Sequence, residues 1–280
     1  MWRHRRSRER ARAVIVAPFV ARLRVFPFKS LDGTDVGAAT LTTRGGLEHD
    51  REFALVDDSG AIVNGKREPR VHELRVSYDP YLTQATFASP RLEAPFTFVF
   101  DDDPGPLASW FAQHFERPIS VVRDRSGGFP DDPLAPGPTV VATETLGEVA
   151  SWFAGFAPDD VRRRLRANIE IGSVPTFWED GLYASAGEVV AFRIGAVVLE
   201  GTNPCARCVV PSRDPLTGVA RPEFAKIVSE RRAAGLPPWA ERSRFNHYYR
   251  LAVNTRADPA QAGRTIAVGD PLERLVVSAL

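Results

Sequence analysis

The segment NPCARCVVPSRDPLTG (residues 203–218) contains both cysteines of a chain of 280 residues. Cys205 and Cys208 are three positions apart, and Arg207 lies between them. The run DPLTG that follows is typical of a turn. The pair precedes VVPSRDPLTG, interpreted as a short strand and then a turn, whereas a thioredoxin-type dithiol lies at the N-terminus of a helix.

Four explanations of this pair remain open from the residues alone. A structural zinc site needs further ligands at short spacing, and none of the five histidines has such a partner. A dithiol redox centre and two buried structural cysteines are the second and third explanations. The fourth is one thiolate bound to a soft metal such as molybdenum or copper. Arg207 favours the fourth, because a nearby cation stabilises a thiolate and can contact an anionic cofactor.

The overall composition predicts a folded cytoplasmic protein. Hydrophobic residues make up 44% of the chain, which is enough for a substantial core. The 36 lysines and arginines nearly balance the 35 aspartates and glutamates, so we expect no nucleic-acid partner. Two cysteines are too few for a disulfide scaffold or a four-cysteine metal site within one chain, which fits a reduced, cytoplasmic setting.

The first residues are interpreted as a basic tail, residues 1–17, rather than as a targeting signal. Six arginines in MWRHRRSRERAR precede the apolar run AVIVAPFVA. That run contains Pro18, lacks a small-x-small site followed by a polar start, and continues directly into the strand-like RLRVFPF. No apolar run reaches the roughly 18 residues that a spanning helix needs, so we expect no membrane span.

Short segments rich in β-branched and aromatic residues predict a mainly β (α+β) fold of the barrel or sandwich type. These segments lie at 22–28, 52–57, 96–100, 119–123, 139–142, 189–201, 248–253 and 265–275. Apolar periodicity predicts four helices, at 106–115, 143–156, 159–165 and 221–232. The Gly-, Pro- and Asp-rich segment 124–138 predicts a boundary between a domain at 18–130 and a domain at 131–280 that holds both cysteines.

Eight motifs, in their order and approximate spacing, resemble the MOSC family. They are FPFKSLDG, HDREFALVD, REPRV, RANIEI, WEDG, the cysteine segment, RFNHYY and VGDPLE. The resemblance runs from about residue 18 to the end. It is to two-part members with a MOSC N-terminal β-barrel domain, such as the mitochondrial amidoxime-reducing component and its bacterial relatives. It implies a β-barrel MOSC domain together with a smaller, β-rich N-terminal barrel domain.

The resemblance also implies a bound group, molybdenum-molybdopterin (the molybdenum cofactor). Cys208 matches the cysteine that coordinates molybdenum, and it would be both metal ligand and catalytic residue; Cys205 would be a supporting residue. Seven further positions are assigned by the resemblance, or by their place in it, to cofactor binding: Lys29, Ser30, Arg51, Arg166, Asn168, Arg207 and Tyr248.

Several of these positions have ordinary structural explanations too. Lys29 could be a surface lysine at a strand end, and Arg51 could form a strand-edge ion pair with Glu68. Arg166 and Asn168 could solvate a helix end and shape a turn. The sequence also departs from the family: Ala167 replaces the usual proline, and APG at 135–137 replaces a polar run, so we expect that run's side-chain contacts to be absent.

The implied activity is an oxidoreductase that reduces N-hydroxylated or N-oxide small molecules. Two cysteines cannot hold a [2Fe–2S] cluster, and no flavin or nicotinamide fingerprint is visible, so a ferredoxin, flavoprotein or haem protein would donate the electrons. His247 could donate a proton, although a surface histidine is the ordinary explanation. One alternative is a cofactor or sulfur carrier without turnover, as in the MOSC parts of molybdenum cofactor sulfurases. Another is a metal-free structural β protein, in which Cys208→Ser would change nothing.

Overall fold

Short strands and tight connections make up most of the fold. The computed structural model describes residues 17–279, so the predicted basic tail lies, apart from Ala17, outside the described residues. The described strands are β1 (Phe19–Val25), β2 (Thr34–Asp35), β3 (Ala38–Thr40), β4 (Phe53–Val56), β5 (Arg75–Tyr78), β6 (Gln84–Ala88), β7 (Phe96–Val99), β8 (Ser120–Arg123), β9 (Val140–Ala142), β10 (Ile169–Gly172), β11 (Glu188–Ile194), β12 (Val197–Ala206), β13 (Arg250–Arg256), β14 (Thr265–Ala267) and β15 (Leu272–Ala279). The α-helices are α1 (Gly105–Phe115), α2 (Thr143–Ser151), α3 (Pro158–Leu165) and α4 (Glu223–Ala234). Short 3₁₀ helices lie at Pro69–Glu73, Trp178–Gly181, Val210–Ser212, Arg242–Arg244 and Pro259–Gln261.

Eight strands form one mixed sheet in the order β15-β11-β12-β13-β9-β10-β1-β2. β1 pairs antiparallel with β10, with Leu23 opposite Ile169, and β10 runs parallel to β9. The start of the described chain therefore lies in the same sheet as its end. Three smaller sheets, β14-β3, β4-β8 and β5-β6-β7, complete the strand pairing, and the predicted mainly β fold is confirmed.

The large sheet bends back on itself without a continuous closing ladder. Within residues 17–279, β1 and the start of β15 are joined by an isolated bridge between Phe19 and Pro271. Val20 donates its N–H to Asp270, and Leu272 donates to Pro18. Pro271 has no N–H to extend this ladder. The closed barrel expected from the resemblance is thus not formed by the described strands.

Two large cores lie on either side of the connection between β1 and β4. The first packs β1 against the other strands of the large sheet, through residues such as Leu23, Ile169 and Phe192. The second is rich in phenylalanine and includes Phe28 and Phe53, whose ring centres are 4.6 Å apart. Because β1 enters the first core and the residues just after it enter the second, the connecting segment is held between two packed bodies.

The four helices predicted from apolar periodicity are present, and their observed ends differ from the predicted ones. α1 buries Leu107, Trp110, Phe111 and Phe115 in the second core. α2 ends at Ser151, earlier than the predicted residue 156, and packs with α3 and α4 on a third core. No helix of the described residues is long and apolar enough to cross a membrane. The domain boundary near residue 130 stays a prediction.

Candidate functional site

A cavity of about 740 Å³ lies where these parts of the chain meet. Its walls come from segments far apart in sequence: the end of β1 and the loop after it, the segment before β5, the loop 130–137, the end of α3, and the end of β12 with the turn that follows. Loops held by several packed elements are the usual place for a binding site.

The charge of the cavity wall is strongly positive. Twelve basic side chains line it: Arg22, Arg24, Lys29, Arg51, Lys66, Arg75, Arg162, Arg163, Arg164, Arg166, Arg207 and Arg213. Five carboxylates line it: Asp32, Asp50, Asp131, Asp132 and Asp159. The whole chain has a net charge of only +1, so the positive charge is concentrated here. A concave surface of one sign attracts ligands of the opposite sign.

Three arginines surround one phenylalanine ring inside this cavity. The guanidinium carbons of Arg24 and Arg51 are each 5.7 Å from the centre of the Phe26 ring, and that of Arg166 is 4.1 Å away. Arg51 and Arg166 both have left-handed backbone, with φ of 54° and 53°. Non-glycine residues seldom adopt this conformation; at Arg166 it ends helix α3, where the backbone N–H donates to the carbonyl of Arg162.

Arg166 lacks a carboxylate partner within ion-pair distance among the described residues. Its Nη1 donates to the carbonyl oxygen of Leu31 at 2.5 Å. Burial and the neighbouring charge of Arg51 lower the pKa of Arg166 to about 10. The guanidinium therefore stays charged at neutral pH, and its charge is incompletely balanced. A half-buried cation of this kind is stabilised by an anionic ligand.

Further polar atoms around the cavity lack partners. The Nε atoms of Arg207 and Arg213 are buried without a hydrogen bond, and so is Nε2 of His72. Burial, followed by the charges of Arg166 and Arg213, lowers the pKa of His72 to about 4, so this ring is neutral at pH 7. Unsatisfied buried donors are uncommon in folded proteins. These three atoms have almost no accessible surface, so a ligand in the cavity does not reach them; Arg166, which lines the cavity, is the donor that fits an oxyanion.

Lys29 lies in the cavity wall, and its ammonium group already has two hydrogen-bond partners. It is only 7% exposed, and its Nζ donates to the carbonyl of Phe129 at 2.8 Å and to Oδ1 of Asp131 at 2.7 Å. Burial lowers the pKa of Lys29, and Asp131 opposes that effect. Desolvation in the concave site would raise the pKa of Asp131, but Arg51 and Lys29 hold it well below its usual range. Asp131 is thus an unforeseen member of the site.

The two cysteines both line the cavity as free, partly exposed thiols. Nη1 of Arg207 donates to Sγ of Cys205 at 3.1 Å, and its Nη2 donates to the carbonyl of Leu165. The sequence predicts that Arg207 stabilises the ligand thiolate, but its guanidinium contacts Cys205 and not Cys208. In the described part of the chain, no group of three or more His, Cys, Asp or Glu residues is arranged to hold a metal ion. Cys208 can still supply one thiolate to a metal that brings its own organic ligands.

Six of the eight residues predicted for the site line the cavity: Lys29, Ser30, Arg51, Arg166, Arg207 and Cys208. Asn168 does not, because its amide is used within the sheet. Its Oδ1 accepts from the backbone N–H of Thr139 at 3.1 Å, and its Nδ2 donates to the carbonyl of Arg24 at 3.1 Å. Asn168 therefore positions β1 beside β9 and β10, not a ligand.

Tyr248 is also outside the cavity, because its ring stacks on Phe245 with 5.6 Å between ring centres. His247 is exposed and does not line the cavity either. Arg51 forms its ion pair with the adjacent Asp50, whereas Glu68, the partner considered from the sequence, pairs with Arg70. The side-chain contacts of Tyr248 and Glu68 are thus structural.

The fold and cavity define a mainly β protein with an arginine-lined anion site that also contains two thiols. A family model described as the MOSC N-terminal beta barrel domain matches residues 17–118, and the MOSC domain model matches residues 140–273. The chain belongs to the MOSC-domain family, in the group that carries the N-terminal MOSC domain.

Curated relatives agree with this family. Human mitochondrial amidoxime-reducing component 1 is 26% identical, over 97% of this chain and 87% of that protein. The molybdenum cofactor sulfurase of Caenorhabditis briggsae is 24% identical over 74% of this chain, which spans only 31% of the sulfurase's length. The solved structure of the YuaD protein from Bacillus subtilis aligns at a TM-score of 0.37 and 10% identity, covering 95% of this chain and 97% of that chain.

Proposed function

We propose that the cavity binds the molybdenum cofactor and that the protein is an oxidoreductase for N-hydroxylated or N-oxide small molecules. The observation that carries the proposal is Arg166, a half-buried arginine of the cavity wall beside Arg51 and Phe26 that has no carboxylate partner among the described residues. Relatives named for a molybdenum cofactor sulfurase and for an amidoxime-reducing component support the choice of ligand.

The chain's own residues fit such a group. Arg51 and Arg166 would hold a phosphate, and the flat face of Phe26 keeps both guanidinium groups in place. Ser30 lines the same wall and offers a hydroxyl. Cys208 would supply the protein's thiolate to molybdenum. When bound, the cofactor supplies two-electron oxygen-atom transfer; the chain binds, orients and partly encloses it.

Electrons would come from an external ferredoxin, flavoprotein or haem protein, because the chain has too few cysteines for an iron–sulfur cluster of its own. A reducing compartment such as the cytoplasm would keep Cys205 and Cys208 as thiols. We also propose the division into a MOSC N-terminal domain at 18–130 and a MOSC domain at 131–280, with the cavity lined by residues from both.

The test compares Cys208→Ser with Cys205→Ser, both produced in a host that makes the molybdenum cofactor. We expect wild-type protein to contain about one molybdenum per chain by elemental analysis and Cys208→Ser to lose most of it, since a hydroxyl is a poor ligand for a soft metal. Reduction of an amidoxime with a reduced viologen dye as donor then measures turnover. If wild type and Cys208→Ser contain equal amounts of molybdenum, Cys208 is not a metal ligand.

A second candidate function is a sulfur or cofactor carrier without turnover. The hydrogen bond from Arg207 to Cys205 favours it, because this contact supports a thiolate that is free to carry a persulfide sulfur. In that case wild-type protein binds the cofactor without reducing any amidoxime. Persulfide labelling would then fall in Cys205→Ser and persist in Cys208→Ser.

A further inference from the structure

One carboxylate of the cavity lies where the family resemblance predicts a bound phosphate. Lys29 and Arg51, both assigned to the cofactor from the sequence, are the two cations that most strongly stabilise the charge of Asp131. Lys29 Nζ is 2.7 Å from Oδ1 of Asp131. The site thus contains an anion of its own.

Resting on the proposed function, we propose that Asp131 is an internal competitor for the anion site, and that a phosphate group of the ligand must displace it from Lys29, near Arg51. Such a role differs from that of a ligand-binding residue. A binding residue strengthens ligand affinity, whereas a competing carboxylate weakens it by occupying the same donors and by repelling the incoming anion.

The geometry of the ion pair makes displacement feasible. Lys29 approaches from inside the protein, with 8% of its side chain exposed, and the carbonyl of Phe129 fixes its ammonium at 2.8 Å. Asp131 approaches from the solvent side, with 66% of its side chain exposed. The cation is therefore held in place by the fold, while the carboxylate can rotate into water.

The backbone around Asp131 does not need to move. The next residue, Asp132, accepts from the N–H groups of Leu134 and Ala135, and Gly137 donates to Thr255. These bonds hold the loop after Asp131, and before it Phe129 donates its N–H to the carbonyl of Arg51. Without a ligand, Asp131 also protects the fold, since a buried ammonium with no counter-ion is costly.

Asp159 provides a matched control in the same cavity. Its side chain is 67% exposed, nearly the same fraction as for Asp131, and it lines the same wall. It pairs with Arg162, which is also held by Glu170, so Asp159 does not contact Lys29 as Asp131 does. Asp159→Asn changes the net charge of the cavity by the same amount as Asp131→Asn.

The experiment measures the binding of inorganic pyrophosphate to the full chain by calorimetry at fixed ionic strength. The protein is made in a host that lacks the molybdenum cofactor. We expect Asp131→Asn to bind about tenfold more tightly than wild type and Asp159→Asn to stay within about twofold. Asp131→Ser serves as a second variant that lacks both the charge and the amide, and thermal unfolding checks that each variant is folded.

Each outcome has a distinct meaning. If wild type binds pyrophosphate and Asp131→Asn binds no more tightly than Asp159→Asn, the inference fails while the anion site stands. If Asp131→Asn binds more weakly, Asp131 orients Lys29 for the ligand, and competition is excluded. If neither wild type nor any variant binds, the anion site of the proposed function is wrong, and the inference falls with it.

Discussion

Two arginines of this protein have nearly the same aromatic contact and opposite surroundings. Arg166 lies 4.1 Å from the centre of the Phe26 ring, and Arg232 lies 4.0 Å from that of Phe177. Arg232 is fully buried and donates to Oδ2 of Asp180 at 2.6 Å. Arg166 lies beside another cation, Arg51, and has no carboxylate partner among residues 17–279.

The difference separates an arginine that serves the fold from one that serves a ligand. Around Arg232 two acidic side chains face one guanidinium, but burial raises the pKa of Glu179 to about 8, so the charge of Asp180 alone balances Arg232. Around Arg166, the two arginines that share its ring have carboxylate partners, Asp35 for Arg24 and Asp50 for Arg51, whereas Arg166 forms no ion pair among the described residues. A fold balances its permanent charges internally, and a binding site leaves the balance for its ligand.

The largest effect is expected from Arg232→Leu. Removing this guanidinium leaves Asp180 buried without its partner, which costs about 3–5 kcal/mol of folding free energy. Urea denaturation measures this loss. Pyrophosphate binding is the second measurement, and the folded variant should bind as tightly as wild type. A loss below about 1 kcal/mol would show that Asp180 is neutral in the wild-type protein.

Arg166→Met should have the opposite effect: pyrophosphate binding should weaken while stability changes little. The variant keeps a long side chain against Phe26 but removes a half-buried charge that has no carboxylate partner among the described residues, so stability should change by less than about 1 kcal/mol. Pyrophosphate affinity should fall at least about tenfold, because a charge-assisted contact is lost. Arg166→Lys, which keeps the charge without the planar fork, should bind with intermediate affinity. If Arg166→Met binds pyrophosphate as tightly as wild type, Arg166 does not serve a ligand, and its contrast with Arg232 is wrong.

The fold was largely predictable because its signals are local. The apolar face of α1 and the β-rich segments follow from residue spacing within ten positions or so. Segments 189–201 and 265–275, each predicted as one strand, are instead two strands apiece, because Gly195 and Gly269 adopt positive φ and turn the chain. Periodicity alone does not show where such a glycine bends a continuous apolar run.

The site was only partly predictable because its partners are distant in sequence. Lys29 and Asp131 are 102 positions apart, and nothing near either residue indicates that they pair. A motif assigns a residue type, but the direction of its side chain depends on packing. Asn168 illustrates this, since its amide is consumed by Thr139 and Arg24 within the sheet.

The smallest effect concerns the pH dependence of stability that arises from the two acidic side chains beside Arg232, Glu179 and Asp180. Burial, and then the charge of Asp180, raises the pKa of Glu179 to about 8, whereas an unfolded glutamate titrates near 4.5. Between these two values the folded state holds a proton that the unfolded state has lost, so stability falls as pH rises through this range.

Glu179→Gln removes this proton linkage and keeps an acceptor for the Oγ1 hydroxyl of Thr145, which donates to Oε2 of Glu179 at 3.0 Å. Between pH 6 and pH 7, the unfolding free energy of wild type should therefore fall by about 1 kcal/mol more than that of the variant. His72, whose pKa is lowered to about 4, acts in the opposite direction in both proteins and cancels in the difference. Parallel curves for the two proteins would mean that Glu179 is ionised, and that Arg232 balances two charges instead of one.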